Sequence, residues 1–179
     1  MDPYTRLAKR ELYRNPWVTV EAHDIVHPNG VPGVHVLILT GRASGVLVVD
    51  GEQVILAEQP RFGARRTMTE IVKGGAEPNE VPLACAQREL REELGLEADT
   101  WISMGSTYEI PSIVDEPVQL FAASDVREVA SDQEAVEQIS LVRIPLADAY
   151  AAMCDGRIDD AVTIVALARY RALSASSGS

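Results

Sequence analysis

Cysteine is scarce in this chain. Cys85 and Cys154 stand alone and far apart, which excludes a thiolate metal cluster and fits a reduced, cytoplasmic setting. Positive charge is also short: 16 Lys and Arg face 27 Asp and Glu, for a net charge of −11. That balance argues against a nucleic-acid partner or an anionic membrane surface. It also makes an anionic substrate awkward unless metal ions mediate its binding. No apolar run is long enough to span a bilayer. The opening MDPYTRLAKRELYRNPW is charged and has no apolar h-region, so no secretory signal is expected. No internal repeat is visible. His23, His27 and His35 lack metal-ligand grouping, and each is read as structural or exposed.

What is present is the composition of one globular domain, 46% apolar and 24% charged over 179 residues, enough to bury a core. Residues 1–16 are polar and suggest a short helix or arm. Strands are expected over Trp17–Val26, ended by Pro28-Asn29-Gly30, and over Val34–Thr40. A hairpin, Val46–Val49 with Val54–Glu58, is expected around Asp50-Gly51. Thr69–Val72, Trp101–Tyr108, Val118–Ala123 and Ile139–Ile144 complete the strands. Val126–Glu137 is acidic and reads as irregular. Helices are expected over Leu146–Cys154 and Asp159–Leu173, the latter capped by Asp159 or Asp160. The small, polar tail 174–179 is expected to fray. Strands first, one central helix and a helical end predict an α/β fold, a mixed sheet between helices.

The most informative stretch is Gly74–Leu96, GGAEPNEVPLACAQRELREELGL. Gly74 and Gly75 allow a tight turn and a close backbone approach to a ligand. Pro82 suits the first turn of a helix, and Gly95 suits its left-handed end. Glu89, Glu92 and Glu93 fall on one face at helical spacing, with Leu83, Leu90 and Leu94 on another. Like charges so placed repel, and a hard divalent cation removes that cost. Arg88, four residues before Glu92, can buttress a carboxylate. A solvated acidic helix face is the competing reading; the glycine loop and the helix ends argue against it.

The spacing is Gly74, five residues, Glu80, seven residues, then Arg88-Glu89-Leu90-Arg91-Glu92-Glu93-Leu94-Gly95-Leu96. It resembles, at every fixed position, the signature of the Nudix hydrolases, G-x5-E-x7-R-E-U-x-E-E-x-G-U with U apolar. The resemblance implies a Nudix-type α/β/α sandwich that hydrolyses a nucleoside diphosphate linked to another moiety, with Mg²⁺ or Mn²⁺. It places metal ligands at Glu89, Glu92, Glu93 and the backbone carbonyl of Lys73. It makes Glu80 and Arg88 the residues that orient the helix and its ligands.

Beyond the signature, NPWVTVEAHDIVHPNG is similar to the N-terminal strand region of ADP-ribose pyrophosphatases. That likeness implies a homodimer, with a dimer-forming arm at 1–32 and the hydrolase domain at 33–173. LAEQPRFG resembles the subfamily's V-R-Q-Y-R segment, which places Arg61 on a substrate-contacting arginine, although Ala57-Glu58 replaces Val-Arg. Glu70 falls on the glutamate of E-L-P-A-G, here written EIVKG, and Gly74 and Gly75 follow at the substrate. Lys73 and the IPSIVDEP loop look more like the related ADP-compounds hydrolases. Pro111, fifteen residues beyond Leu96, sits at the offset that marks the ADP-ribose group. The general base of these enzymes is a glutamate on an acidic loop before the last strand. Here that loop is SDQEAVEQ, with Glu137 the first candidate and Glu134 the second. Trp17, Phe62 and Tyr108 are candidates for stacking on adenine, and Arg65 and Arg66 for phosphate contact by their nearness to the glycine loop.

The resulting expectation is hydrolysis of ADP-ribose or a similar ADP-sugar to AMP and a sugar phosphate. Alternatives are another nucleoside diphosphate substrate (GDP-mannose, NADH or a dinucleoside polyphosphate) or a non-catalytic nucleotide-binding module. Such modules usually lose a metal-binding glutamate, and all are present here.

Overall fold

A strand covered on both faces needs apolar residues at successive positions, and residues 46–49 and 54–57 supply them. The structure, a computed structural model, describes residues 2–130 and 138–177. The chain forms two compact units: Met1–Arg42 with Tyr108–Pro117, and Ala43–Thr107 with Val118–Ser179.

The first unit is a three-stranded antiparallel sheet, β1 (Thr5–Arg14), β2 (Thr19–Val26) and β3 (Pro32–Leu39), in that order. The expected N-terminal helix or arm is therefore a strand. Its polar residues find cross-strand partners on β2: Lys9 Nζ donates to Glu21 Oε1 at 2.7 Å, and Arg10 to Asp24 at 3.0 Å. Asn15 makes the first turn, its Oδ1 accepting from the backbone N–H of Trp17 and Val18. β1 is exposed along its whole length and leaves Leu7, Leu12 and Tyr13 at the surface. Pro111 belongs to this unit. It lines a concavity with Tyr4, His23, His35, Ser112 and Asp115.

The second unit is a seven-stranded mixed sheet. β4 (Ala43–Asp50) and β5 (Gln53–Arg61) form the expected hairpin at Asp50-Gly51. β6 (Arg66–Glu70) pairs with β5 and β7 (Val72–Gly75) with β4. β8 (Leu96–Thr107), β9 (Val118–Glu128) and β10 (Ser140–Pro145) complete the order β10-β5-β4-β9-β8, with β4 and β9 parallel. Helix α1 (Pro82–Leu94) covers one face. Its Ala86, Leu90 and Leu94 pack on Val46, Val48, Ile55, Ala57, Phe121 and Ala123. Helices α2 (Leu146–Asp155) and α3 (Ala161–Ser177) cover the other, over Leu47, Val49, Val54, Leu56, Leu120 and Ala122. The strict alternation of these two sets along each strand is the signature of an α/β/α sandwich.

Several boundaries differ from expectation, among them that of the strand expected over Thr69–Val72, which is divided between β6 and β7. β8 begins at Leu96 rather than Trp101, because β9 continues to Glu128 beside it. Arg127, expected in an irregular stretch, instead bridges Glu97 and Asp99 across that pair at 2.6 and 2.5 Å. α3 continues to Ser177, past the point where the tail was expected to fray. Among the described residues no helix is long and apolar enough to cross a membrane.

Candidate active site

The glycine pair closes β7, and α1 follows it after a short loop. Pro82 occupies the first turn of the helix, and Val81 before it offers no side-chain cap. At the other end Gly95 adopts φ 62°, ψ 39°, and its N–H returns to Arg91 O at 2.9 Å. This is the left-handed termination that glycine makes without strain. The helix thus starts and stops where the sequence implied. Its apolar face carries Cys85, Ala86, Leu90 and Leu94, whereas Leu83 is exposed.

Arg88 organises the polar side. Its Nε and Nη2 donate to both oxygens of Glu80 at 3.0 Å. Nη1 donates to Glu89 Oε1 and Glu92 Oε2, each at 2.8 Å. Nη2 also reaches the carbonyl of Gly75 at 2.8 Å. One guanidinium therefore binds three carboxylates to the glycine loop, a task that needs its planar fork. The hydrogen bond from Arg88 holds the Glu80 carboxyl below the usual range, and Glu80 in turn raises the already high pKa of Arg88. Glu80 Oε2 also accepts from the backbone of Glu77 at 2.9 Å, closing the loop on itself.

Glu89 lies directly over Gly74. A Cβ built on Gly74 would stand 2.0 Å from Glu89 Cδ, so only glycine leaves room for that carboxylate. Cys85 Sγ is 3.5 Å from the Gly74 carbonyl, and burial raises the pKa of its thiol. It packs as a small apolar residue under the loop. The three expected metal-binding glutamates differ in setting: Glu93 is 6% exposed, Glu89 is largely buried, and the Glu92 side chain is 38% exposed. Among the described residues no three His, Cys, Asp or Glu side chains converge as a metal-ligating group. Glu89 and Glu92 instead turn onto the Arg88 cation. The donors themselves, carboxylates beside a backbone loop that glycine at position 74 lets Glu89 approach, are the hard oxygen ligands that Mg²⁺ and Mn²⁺ favour.

A second charged network lies beside the first. Arg61 Nε donates to Glu70 Oε1 at 2.6 Å, and Lys73 Nζ approaches Glu70 Oε2 at 2.9 Å. Lys73 Nζ also bonds Asp160 Oδ1. Glu70 is only 1% exposed. Burial works against the Arg61 cation, but the bond and charge of Glu70, with the charges of Glu93 and Asp160, raise its pKa. Burial likewise opposes the Asp160 anion, yet Lys73 and the Thr163 hydrogen bonds hold its pKa below the ordinary value.

Of the expected site residues, Glu80, Arg88, Glu89, Glu92, Gly74 and Gly75 share one hydrogen-bonded or contacting cluster. Arg61, Glu70 and Lys73 share the other, with Glu93 close enough to act on Arg61 by charge. Pro111 is placed in the first unit. Glu134 and Glu137 lie outside the described residues. The stacking candidates are all exposed, Trp17 at 80%, Phe62 completely and Tyr108 at 54%, so none is consumed by the core. Arg66 is held by Asp159 across the fold.

Residues 39–162 match the NUDIX domain family. The chain belongs to that family. Residues 4–35 of this NUDIX protein also match the nucleoside diphosphate sugar hydrolase N-terminal domain. It is 28% identical over 164 residues to an ADP-ribose pyrophosphatase of Bacillus subtilis (strain 168), over 90% of this chain and 89% of that protein. It is 34% identical over 137 residues to a GDP-mannose pyrophosphatase of Yersinia pestis (strain Pestoides F), over 71% and 69%. The crystal structure of an ADP compounds hydrolase superposes with a TM-score of 0.87, covering 98% of this chain and 96% of that one at 24% identity, which establishes the common fold.

The sequence marks Asp160 only as one of two acids before a helix, because its partner Lys73 lies 87 residues away.

Proposed function

We propose that this NUDIX hydrolase cleaves the pyrophosphate bond of ADP-ribose or a similar ADP-sugar, releasing AMP and a sugar phosphate. The observation that carries the reading is the likeness to an ADP-ribose pyrophosphatase over nine-tenths of the chain. The match of residues 4–35 to a nucleoside diphosphate sugar hydrolase domain supports the same substrate class. Water adds to one phosphorus, the bridging P–O bond breaks, and the other phosphate departs with that oxygen. The water proton passes to a carboxylate, assigned to Glu137, with Glu134 second.

Glu89, Glu92, Glu93 and the Lys73 carbonyl would hold Mg²⁺, or Mn²⁺ in its place. When bound, the cation supplies charge against the pyrophosphate oxygens and acidifies water. Arg88 and Glu80 keep Glu89 and Glu92 against the glycine loop, so the helix carboxylates are positioned before substrate arrives. Arg61 takes a substrate phosphate. Its Nε is engaged by Glu70, which leaves the terminal amino groups as the anion-binding end. Gly74 and Gly75 admit the diphosphate close to the backbone, and Glu70 supports Arg61.

The protein acts as a cytoplasmic homodimer that binds no nucleic acid, with residues 1–32 as the dimer-forming arm of the 33–173 hydrolase domain. An exposed edge strand carrying Leu7, Leu12 and Tyr13 supports this assembly, and light scattering on the purified protein checks it. The free thiols of Cys85 and Cys154 fit a reducing compartment.

A substrate panel of ADP-ribose, GDP-mannose, NADH and a diadenosine polyphosphate, read by phosphatase-coupled phosphate release with Mg²⁺, tests the reading. ADP-ribose should give the highest kcat/KM. Preference for GDP-mannose, the substrate named for a 34% identical relative, would shift the assignment to that class. No turnover of any of them would leave a nucleotide-binding module.

A further inference from the structure

Four charged side chains from four separate elements form one chain of contacts. Arg61 comes from the end of β5, Glu70 from the end of β6, Lys73 from β7 and Asp160 from the N-terminus of α3. The two inner members are well covered, Glu70 almost completely and Lys73 at 15% side-chain exposure. A buried carboxylate held by two cations is sensitive to where those cations sit. Lys73 is shared, because its Nζ bonds Glu70 and Asp160 together. Asp160 is in turn fixed by its own helix. Its Oδ2 accepts from the Thr163 backbone N–H at 2.9 Å and the Thr163 hydroxyl at 2.7 Å, a capping arrangement. The Thr163 hydroxyl oxygen also accepts from the N–H of Ile71, between Glu70 and Lys73. The start of α3 is thus bolted to the strand that leads into Gly74.

We propose that Asp160 is a positioning residue for substrate binding, acting through Lys73 and Glu70 to fix the Arg61 guanidinium and the backbone entering the Gly74–Gly75 loop. This rests on the pyrophosphatase reading, in which Arg61 meets a substrate phosphate. With Asp160 in place, Lys73 is restrained between two acids and Glu70 keeps its second oxygen occupied. Without that charge, Lys73 is free to collapse onto Glu70 and compete with Arg61 for the same carboxylate. Arg61 then loses its fixed orientation, while the proposed metal-binding carboxylates Glu89 and Glu92 stay with Arg88. The defect falls on binding rather than on the chemical step.

Asp160→Asn is the direct test, because asparagine caps a helix as well as aspartate does, while the charge and the acceptor oxygen that face Lys73 are lost. Asp160→Ser, a second capping variant, guards against a fold defect peculiar to Asn; thermal melts of both should track the wild type. Asp160→Asn should raise KM for ADP-ribose about tenfold, with kcat within about threefold, and weaken AMP binding by calorimetry in parallel. Asp155→Asn removes the same charge from an exposed pair with Arg157 and should leave KM within about twofold. A double-mutant cycle with Lys73→Met locates the effect: the pair should be no worse than Lys73→Met alone. Independent, multiplying effects in the cycle, an unchanged KM in Asp160→Asn, or an equal shift in Asp155→Asn each overturn the linkage. If the wild type itself turns over none of the diphosphate panel, the substrate reading fails first and the linkage falls with it. That result is distinct from an active wild type with an unlinked Asp160.

Discussion

The carboxylate of Glu89 occupies the space where a side chain on Gly74 would begin, 2.0 Å from an ideal Cβ to Cδ. The colliding group is the far end of a flexible side chain, so alanine at Gly74 need not break the fold. It need only push Glu89 away. Gly74→Ala should therefore melt within a few degrees of the wild type and lose about 10²-fold in kcat with Mg²⁺. A variant with near wild-type turnover would show that the place of Glu89 over the loop is unimportant to the reaction.

The Arg88–Glu80 fork yields a pH prediction. The folded Glu80 carboxyl sits below its ordinary value because Arg88 bonds it, while the unfolded chain keeps a value near 4.3. The unfolded state therefore binds the proton more readily, and folding gains from Glu80 above about pH 4.3. That gain is lost as pH falls through the depressed folded value. Glu80→Gln should cost about 1–3 kcal/mol near pH 7, with the gap to wild type closing as urea unfolding is repeated down toward pH 3. A gap that stays constant with pH would assign the loss to packing instead.

Arg88 itself makes contacts that no other side chain duplicates. Lysine keeps the charge but cannot serve Glu80, Glu89, Glu92 and the Gly75 carbonyl from one plane. Arg88→Lys should lower stability by about 2–3 kcal/mol by chemical denaturation and reduce kcat/KM as well. Retention of both would mean that the charge alone, and not the fork, orders the helix carboxylates.

Much of this site is legible in the sequence because its contacts are local. Gly74, Glu80, Arg88, Glu89 and Gly95 lie within one loop and one helix, and helical spacing dictates who meets whom. Both faces of the central strands can also be read, since residues 46–49 and 54–57 are apolar at every position. What escapes is set by distant partners. Residues 5–14 form a strand through antiparallel pairing with β2, where Glu21 and Asp24 meet Lys9 and Arg10. Lys73 reads as a backbone donor, and nothing local reveals that its ammonium is gripped by Asp160. Spacing puts Glu89, Glu92 and Glu93 on one face, but only packing separates a covered Glu93 from an open Glu92.

Glu93 carries the next prediction. It is nearly covered and acts by charge on Arg61, so an isosteric amide removes charge without removing volume. Glu93→Gln should lower kcat by about 10²-fold and raise the Mg²⁺ concentration needed for half activity. Unchanged turnover on every diphosphate substrate would sink the proposed metal site.

The general base is best tested by comparing the two candidate acids, Glu137 and Glu134. A residue that accepts the proton of the attacking water contributes to the chemical step, and typical losses on its removal are about 10²–10⁴-fold. Glu137→Gln should therefore reduce kcat on that scale while KM and AMP binding change little, because neither depends on proton transfer. Glu134→Gln should fall well short of that loss. The amide variants keep shape and hydrogen-bonding reach, so a fold defect shared by both would show in the melts rather than in kcat alone. If the large kcat loss appears in Glu134→Gln instead, the proton acceptor is Glu134. If it appears in neither, the acceptor lies among the carboxylates that Arg88 and Gly74 hold in place.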